Sequence, residues 1–197
     1  MITKTLRLAV LAPAILLGGC LSFGAEPPPS LLTLTPAATA PVGASASGNP
    51  TTAITLVEFE APAAVDVTRV PVQVNDSEIA YLKDAVWVEK PARLFRRLIA
   101  ETIRTRSGGR VVIDGDDPGV SAVNRLQGTV RRFGYDAATS SVIVTFDAVR
   151  AGNGPNVQTR RFEASVPGVT PDVVSVGPAL NQAANEVAVQ VADWVNS

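Results

Sequence analysis

The chain has 197 residues, with 17 basic and 18 acidic side chains, no histidine and one cysteine. The lack of histidine excludes Ser-His-Asp and Cys-His catalytic sites and removes the commonest metal ligand of proteins. The net charge of −1 gives no reason to expect nucleic acid as a partner. A single cysteine also excludes an internal disulfide, so the fold must depend on its hydrophobic core.

The amino terminus has the three parts of a secretory signal peptide. A basic start that contains Lys4 and Arg7 precedes an apolar run at 8–17 and two glycines, and the apolar run is too short to span a membrane. Cys20 follows at once, and this arrangement resembles the lipobox of bacterial lipoproteins, in which the thiol is acylated and the chain is cut before it. We therefore predict a signal peptide over 1–19 and a lipid anchor at Cys20. The alternative is an ordinary signal peptide with a cysteine near its cleavage site.

The residue after the predicted anchor indicates which membrane the lipoprotein is sorted to. In lipoproteins an aspartate at this position marks retention in the inner membrane, whereas this chain has Leu21. The resemblance therefore implies the periplasmic face of the outer membrane. Each buried methylene of an acyl chain contributes about 0.8 kcal/mol, so two or three chains hold a protein on the bilayer almost permanently.

Residues 20–51 are rich in Pro, Ala, Ser, Gly and Thr. Such a segment buries little apolar surface and is typical of a flexible tether. A short strand is predicted inside it at 31–35. Because an extended chain spans about 3.3 Å per residue, this tether would let the folded domain, predicted over 52–197, stand some way off the membrane.

The first half of the domain combines strands with one helix. Alternation predicts strands at 54–59, 65–74, 81–89 and 110–113 and a helix from Pro91 to about Arg106. Proline suits the first helical position because its missing N–H has no partner there, and glycines after Arg106 end the helix. The apolar stripe of this helix is Leu94, Phe95, Leu98, Ile99 and Ile103.

The second half predicts an antiparallel meander followed by a helix. Strands are expected at 122–135, 140–150 and 157–166, and the helix begins at Pro171 or Pro178 and runs to about Val195. Trp87 and Trp194 are predicted to pack in the core. The helix stripe is Val176, Leu180, Ala184, Val187, Val191 and Trp194. This order predicts an α+β fold, with a mostly antiparallel sheet packed against two helices in two layers.

Several segments carry a family resemblance through their order and spacing. They are the lipobox at Cys20 and the segments 31–36, 54–62, 69–74, 85–91, 126–133, 144–148, 161–163 and 183–194. Together they resemble the ABC-type transport auxiliary lipoprotein component family, which includes the paraquat-inducible lipoprotein of lipid-transport operons. The chain departs from the family at Leu31-Leu32 and Pro62-Ala63-Ala64, where members often carry tyrosines.

The resemblance implies a non-catalytic protein without a cofactor or metal. Its partners would be the bilayer, through the lipid anchor, and a periplasmic substrate-binding protein of the mammalian-cell-entry type in an ABC transport system. The cargo would be phospholipid or another envelope lipid, and a ring of identical subunits is left open. The alternative is a structural lipoprotein that assists barrel or lipopolysaccharide assembly.

The first helix carries the candidate contact residues Arg93, Arg96, Arg97 and Arg104. Guanidinium groups bind phosphate in a forked geometry, so these residues are candidates for contact with lipid headgroups or an acidic partner. The alternative is a solvated helix face on which Glu101 pairs with arginines three or four residues away.

Two other clusters of charged residues stand out in the sequence. The acidic turn 114–117 lacks a later glutamate of the kind that completes a calcium loop, so it is predicted to be a solvated turn. Arg131-Arg132 and Arg160-Arg161 lie in predicted strands, and strict alternation would place one arginine of each pair on each sheet face.

Overall fold

In the part of the chain that the structure describes, two helices pack on one seven-stranded sheet, which confirms the predicted α+β fold. The computed structural model describes residues 30–114, 122–152 and 154–197. The strands are β1 (Ile54–Leu56), β2 (Arg69–Asn75), β3 (Glu78–Val86), β4 (Val112–Asp114), β5 (Asn124–Asp136), β6 (Ser141–Ala151) and β7 (Val157–Pro167). The helices are α1 (Pro91–Arg106) and α2 (Val173–Asn196). All seven strands predicted for the domain are present, with ends shifted by a few residues.

Strand β5 organises the sheet. It pairs with β6 along its length, and β6 pairs with β7, so the predicted antiparallel meander is confirmed. On its other side β5 pairs in parallel with two strands: β1 pairs with the start of β5 at Asn124, and β2 pairs with its end at Tyr135. The next strand outward is β4 beside β1 and β3 beside β2. The sheet is therefore mixed. At Gly134 a Cβ would lie 2.3 Å from the carbonyl oxygen of Pro71, so glycine is what lets β2 approach β5 there.

Helix α1 has the predicted bounds, and all five residues of its predicted stripe are buried. It begins with Pro91 at its first position. Gly108 and Gly109 follow it with φ values of +65° and +110°, a backbone conformation that favours glycine and ends the helix.

Helix α2 begins between the two predicted starts. Asp172 caps it by accepting a hydrogen bond from the backbone N–H of Ser175 at 2.8 Å. Pro178 lies inside the helix, where it removes the hydrogen bond to the carbonyl of Val174. Val174 is 80% exposed, so water can reach that carbonyl. The exposed helix start is what makes an internal proline tolerable here.

Aromatic rings form the centre of the core. Phe95 of α1 has its ring centroid 6.3 Å from that of Phe59, 5.8 Å from Phe133 and 5.5 Å from Phe146. Trp87 extends this cluster at 5.6 Å from Phe133 and is 2% exposed, which confirms its predicted core position. The cluster joins α1 to β5, β6 and the β1–β2 connection.

The prediction for Trp194 is confirmed in part. It lies on the predicted stripe of α2 but is only half-buried, with its ring 5.5 Å from that of Phe162. The guanidinium group of Arg150 lies 5.4 Å from the Trp194 ring centroid. Trp194 therefore closes the edge of the core rather than filling it.

The segment before β1 lies along the helices. Leu32 makes a parallel bridge with Trp87, in which its N–H donates to Val86 O at 2.7 Å and its C=O accepts from Val88 N–H at 2.9 Å. We call residues 31–41 the strap.

Side chains of both helices hold the strap by its backbone. Asn181 accepts from Thr35 N–H, and Asn185 accepts from Ala37 N–H and donates to Thr35 C=O, with distances of 2.8 to 3.0 Å. Glu101 of α1 accepts from Ala40 N–H at 2.7 Å. The chain crosses α2 first and α1 second before it reaches β1.

The described part of the predicted tether is thus bound to the domain over the strap. Amide and carboxylate side chains supply the partners that its backbone groups would otherwise find in water. The strand predicted at 31–35 is reduced to one bridge at Leu32, because the backbone groups of Thr35 bond to asparagine side chains instead.

Candidate functional site

The predicted anchor lies outside the described residues. Cys20 and the signal peptide 1–19 precede residue 30, so lipidation stays a prediction. Asp116 and Asp117 of the acidic turn also lie outside the described residues. None of the helices in the described part of the chain is long and apolar enough to cross a bilayer.

Each of the four candidate arginines of α1 lies beside a carboxylate of this chain. Arg93 lies 3.8 Å from Glu58, Arg96 lies 3.3 Å from Asp114, Arg97 pairs with Glu89, and Arg104 lies 3.1 Å from Glu101. The pairing of Glu101 three residues from an arginine is confirmed.

These arginines do not form one patch. Arg97 and Arg104 line a cleft of about 340 Å³ below the strap, whereas Arg93 lines a separate cleft of about 830 Å³ with Glu58 and Glu60. Contact with headgroups or an acidic partner stays a proposal for them, and such a contact would have to compete with the pairs within the chain.

Asp114 ends β4 and faces Arg96 of α1. Its side chain is 15% exposed and that of Arg96 is 17% exposed, so the pair is largely removed from solvent. Within the described ranges 30–114, 122–152 and 154–197, no three histidine, cysteine or acidic residues are grouped as metal ligands. The described residue of the acidic turn therefore forms an ion pair.

A β-bulge corrects the prediction for Arg131 and Arg132. The register shifts between Val130 and Arg132, so Arg132 pairs with Thr145 while Arg131 donates to Asp147, two residues further along the same face. Both arginines therefore lie on the sheet face opposite the helices. The alternation argument was wrong here because a bulge places an extra residue in one strand. For Arg160 and Arg161 the strand is regular and the alternation holds.

Asp147 joins three strands on that face. Arg161 of β7 donates to it at 2.6 and 2.8 Å, and Arg131 of β5 donates at 2.8 Å. The hydrogen bonds from Arg161 lower the pKa of Asp147 from 3.8 to about 2, with Arg131 adding to the effect and partial burial opposing it. The cluster holds one carboxylate ionised between two cations and leaves no acid–base function at neutral pH.

This depressed pKa predicts an acid-dependent loss of stability. Because the pKa of Asp147 is lower in the folded state, its contribution is present above about pH 4 and is lost as the pH falls towards 2. We expect Asp147→Asn to lower the free energy of unfolding at pH 7 by about 1 kcal/mol, the value being limited by solvent screening.

Denaturant unfolding of wild type and Asp147→Asn from pH 7 to pH 2 measures this effect. The difference in the free energy of unfolding between wild type and Asp147→Asn should shrink over pH 4 to 2. Arg161→Gln should also be less stable than wild type at pH 7, and its difference from wild type should shrink over the same pH range. A difference that stays constant down to pH 2 would contradict the assignment.

Sequence reasoning missed two arginines at the carboxyl end of α2. Arg150 donates to the Trp194 carbonyl at 2.7 Å, and Arg110 donates to the Val195 carbonyl at 3.1 Å. Both line a cleft of about 680 Å³. They satisfy the last carbonyl groups of the helix and balance the negative end of its dipole. Arg150 stands at a position of β6 where the alternation of the strand predicts an apolar residue. This departure from the pattern is the sequence signal that could have identified Arg150.

Fold and surface together define the class of this protein. The chain is an α+β domain with an aromatic core, paired surface charges and an amino-terminal strap. It belongs to the ABC-type transport auxiliary lipoprotein component family, whose model matches residues 32–192. The family is one of auxiliary lipoproteins in transport, which suggests a membrane-associated, periplasmic location. A comparison with curated proteins found no significant match.

Two solved structures share the fold. A Xanthomonas campestris protein of the DUF330 family has a TM-score of 0.69 at 18% identity, with 85% of this chain and 95% of that chain covered. A crystal structure of an uncharacterised protein has a TM-score of 0.64 at 12% identity, with 84% and 99% covered. At these identities the likeness concerns the fold alone.

Proposed function

We propose that the protein is a non-catalytic outer-membrane lipoprotein that serves an ABC transport system as its periplasmic auxiliary component. The system would be of the mammalian-cell-entry type, and its cargo would be phospholipid or a related envelope lipid. The observation that carries the proposal is the family match, which spans the strap, the sheet and nearly all of α2.

Two features of the chain support this proposal. The sequence lacks histidine and has its lone cysteine in a lipobox, so common nucleophile and base combinations are missing. The described surface carries charged side chains that pair with one another, such as Asp147 with Arg131 and Arg161. A protein of this kind acts by position and contact, which suits a component that docks on a substrate-binding partner.

Co-purification tests the docking. The lipidated protein, extracted from native membranes in mild detergent, should bring down a mammalian-cell-entry protein together with the permease and ATPase. Recovery of an outer-membrane barrel without these proteins would overturn the proposal and favour a role in barrel or lipopolysaccharide assembly.

Replacing Cys20 tests the anchor. We expect Cys20→Ser to abolish outer-membrane fractionation and to yield a soluble periplasmic domain or an uncleaved precursor, because no acyl chain can be attached. Fractionation on a sucrose gradient and mass spectrometry measure the outcome. Leu21→Asp is the matched control, since it should remain acylated but shift to the inner membrane. Continued outer-membrane fractionation of Cys20→Ser would disprove the anchor.

A further inference from the structure

One end of the domain is defined by two turns and the start of α2. Because β2 runs parallel to β5 with Gln73 opposite Asp136, the β2–β3 and β5–β6 turns lie at the same end of the sheet. The connection to α2 lies there too, since Val169 N–H donates to Ser140 O at 2.9 Å and accepts through its carbonyl from Tyr135 Oη at 2.8 Å. We call this the hairpin end, and the opposite end, where Arg150 reaches the last turn of α2, the far end.

The strap begins towards the hairpin end. Leu32 contacts α2 at Gly177, where a Cβ would lie 2.8 Å from Leu32 Cδ2, and Gly177 follows Val174 by one helical turn. From there the strap passes Asn181 and then Asn185, so it runs towards the far end. The chain that leads back to Cys20 therefore leaves the domain near the first turns of α2.

Three exposed apolar side chains lie at this end. The described residues include seven large apolar side chains that are exposed. Two, Val74 and Ile79, flank the β2–β3 turn, and Val174 lies in the first turn of α2. Leu31 and Val88 flank the bridge at Leu32, beyond the end of β3 that lies away from the β2–β3 turn. The other two are Val42 and Val157. Single exposed apolar residues are common, but three at the end of the domain where the chain to Cys20 leaves α2 are a candidate surface for contact.

We propose that the hairpin end rests on the lipid bilayer to which the chain is anchored, with Val74, Ile79 and Val174 in contact with it. This inference rests on the proposed anchor at Cys20. The 12 or so residues from Cys20 to Leu32 span at most about 43 Å, and α2 alone is about 36 Å long. From Gly177, beside Leu32, the rest of α2 to the far end measures about 29 Å, whereas a flexible segment of 12 residues spans about 19 Å on average. The hairpin end needs no such extension, so the anchor favours the hairpin end.

The charged groups at the hairpin end are acidic, so the proposed contact with the bilayer depends on apolar burial and not on electrostatic attraction. Asp76 and Glu78 at the β2–β3 turn and Asp172 at the start of α2 are exposed there. These carboxylates disfavour an anionic surface, so headgroup attraction is not the cause of contact. Apolar side chains at the interface are stabilised by burial, and that contribution resists salt. The contact should therefore form on zwitterionic lipid and persist at high ionic strength.

A pair of labelled variants tests the orientation. Acylation uses the thiol of Cys20, so a cysteine introduced elsewhere is the only free thiol of the mature protein. Val174→Cys places it at the hairpin end, and Val157→Cys places it at the far end, where the valine is also exposed. Each lipidated full-length variant is labelled with a polarity-sensitive fluorophore and reconstituted in phosphatidylethanolamine–phosphatidylcholine vesicles that contain nitroxide-labelled lipid.

We expect the probe at 174 to shift to the blue and to be quenched several-fold more strongly than the probe at 157, at low and at 1 M salt. Equal quenching at both positions, stronger quenching at 157, or loss of the difference in 1 M salt would overturn the inference. Mass spectrometry separates it from the proposed function. A protein without acyl chains on Cys20 removes both proposals, whereas an acylated protein with equal quenching removes the orientation alone.

Discussion

Phe95→Ala is expected to lower the free energy of unfolding by about 4 kcal/mol. Phe95 is fully buried, and its ring contacts three other rings that belong to different parts of the fold. Truncation removes apolar burial and leaves a cavity that neighbours on rigid strands can fill only in part. Since a domain is stable by only about 5–15 kcal/mol, this one change removes a large share of the total.

Thermal unfolding followed by circular dichroism measures the effect. A loss of this size should lower the Tm by roughly 8–16 °C in a domain of this length. Phe95→Leu is the matched control, because it keeps most of the volume and should cost much less. A Tm change of only a degree or two for Phe95→Ala would show that α1 is not packed at the centre of the core.

Asp114→Asn is expected to cost about 3 kcal/mol, because it leaves the largely buried guanidinium group of Arg96 without its counter-charge. Arg96 Nε lies 3.3 Å from Asp114 Oδ1, and both side chains are less than one-fifth exposed. Within the described part of the chain, Arg96 Nε, Arg96 Nη1 and Asp114 Oδ1 have no hydrogen-bond partner, so each charge depends on the other.

A double replacement separates the charge effect from packing. Arg96→Met with Asp114→Leu removes both charges and keeps similar volume, and it should be less destabilising than Asp114→Asn alone. Denaturant unfolding of wild type, Asp114→Asn, Arg96→Met, Asp114→Leu and the double variant measures the difference. If the double variant is destabilised as much as the sum of its single variants, the pair contributes no coupling and the prediction fails.

The helices and the meander were predictable because their signals are local. Pro91 and the glycines after Arg106 mark both ends of α1, and the spacing of its apolar residues defines its buried face. The strands of the meander follow one another with short turns, so their pairing needs no distant information. Only the start of α2 was ambiguous, since two prolines competed for it and Asp172 proved to be the cap.

The strap was not predictable in the same way. Its composition is that of a flexible linker, yet Thr35 and Ala37 find partners on Asn181 and Asn185, nearly 150 residues later in the chain. Nothing in the local sequence indicates that these asparagines bind a backbone. The bulge at Arg131 likewise appears only in the pairing of β5 with β6.

The candidate arginines of α1 were predictable from the sequence only in part. Their presence on one helix was evident from the sequence, and the pairing of Glu101 with Arg104 follows from helical spacing. The partners of Arg93 and Arg96, Glu58 and Asp114, come from other elements of the fold. A surface that resembles a cationic patch in the sequence is therefore charge-balanced in the folded protein.

The sequence by itself determined the fold class, the two helices, the meander and the family, because residue periodicity and the order of motifs are properties of neighbouring positions. The tertiary structure alone decided that the strap binds the helices, that β1 and β2 share one side of β5, and that three exposed apolar residues lie at the hairpin end. These features depend on contacts between residues far apart in the chain, and such contacts leave no local pattern.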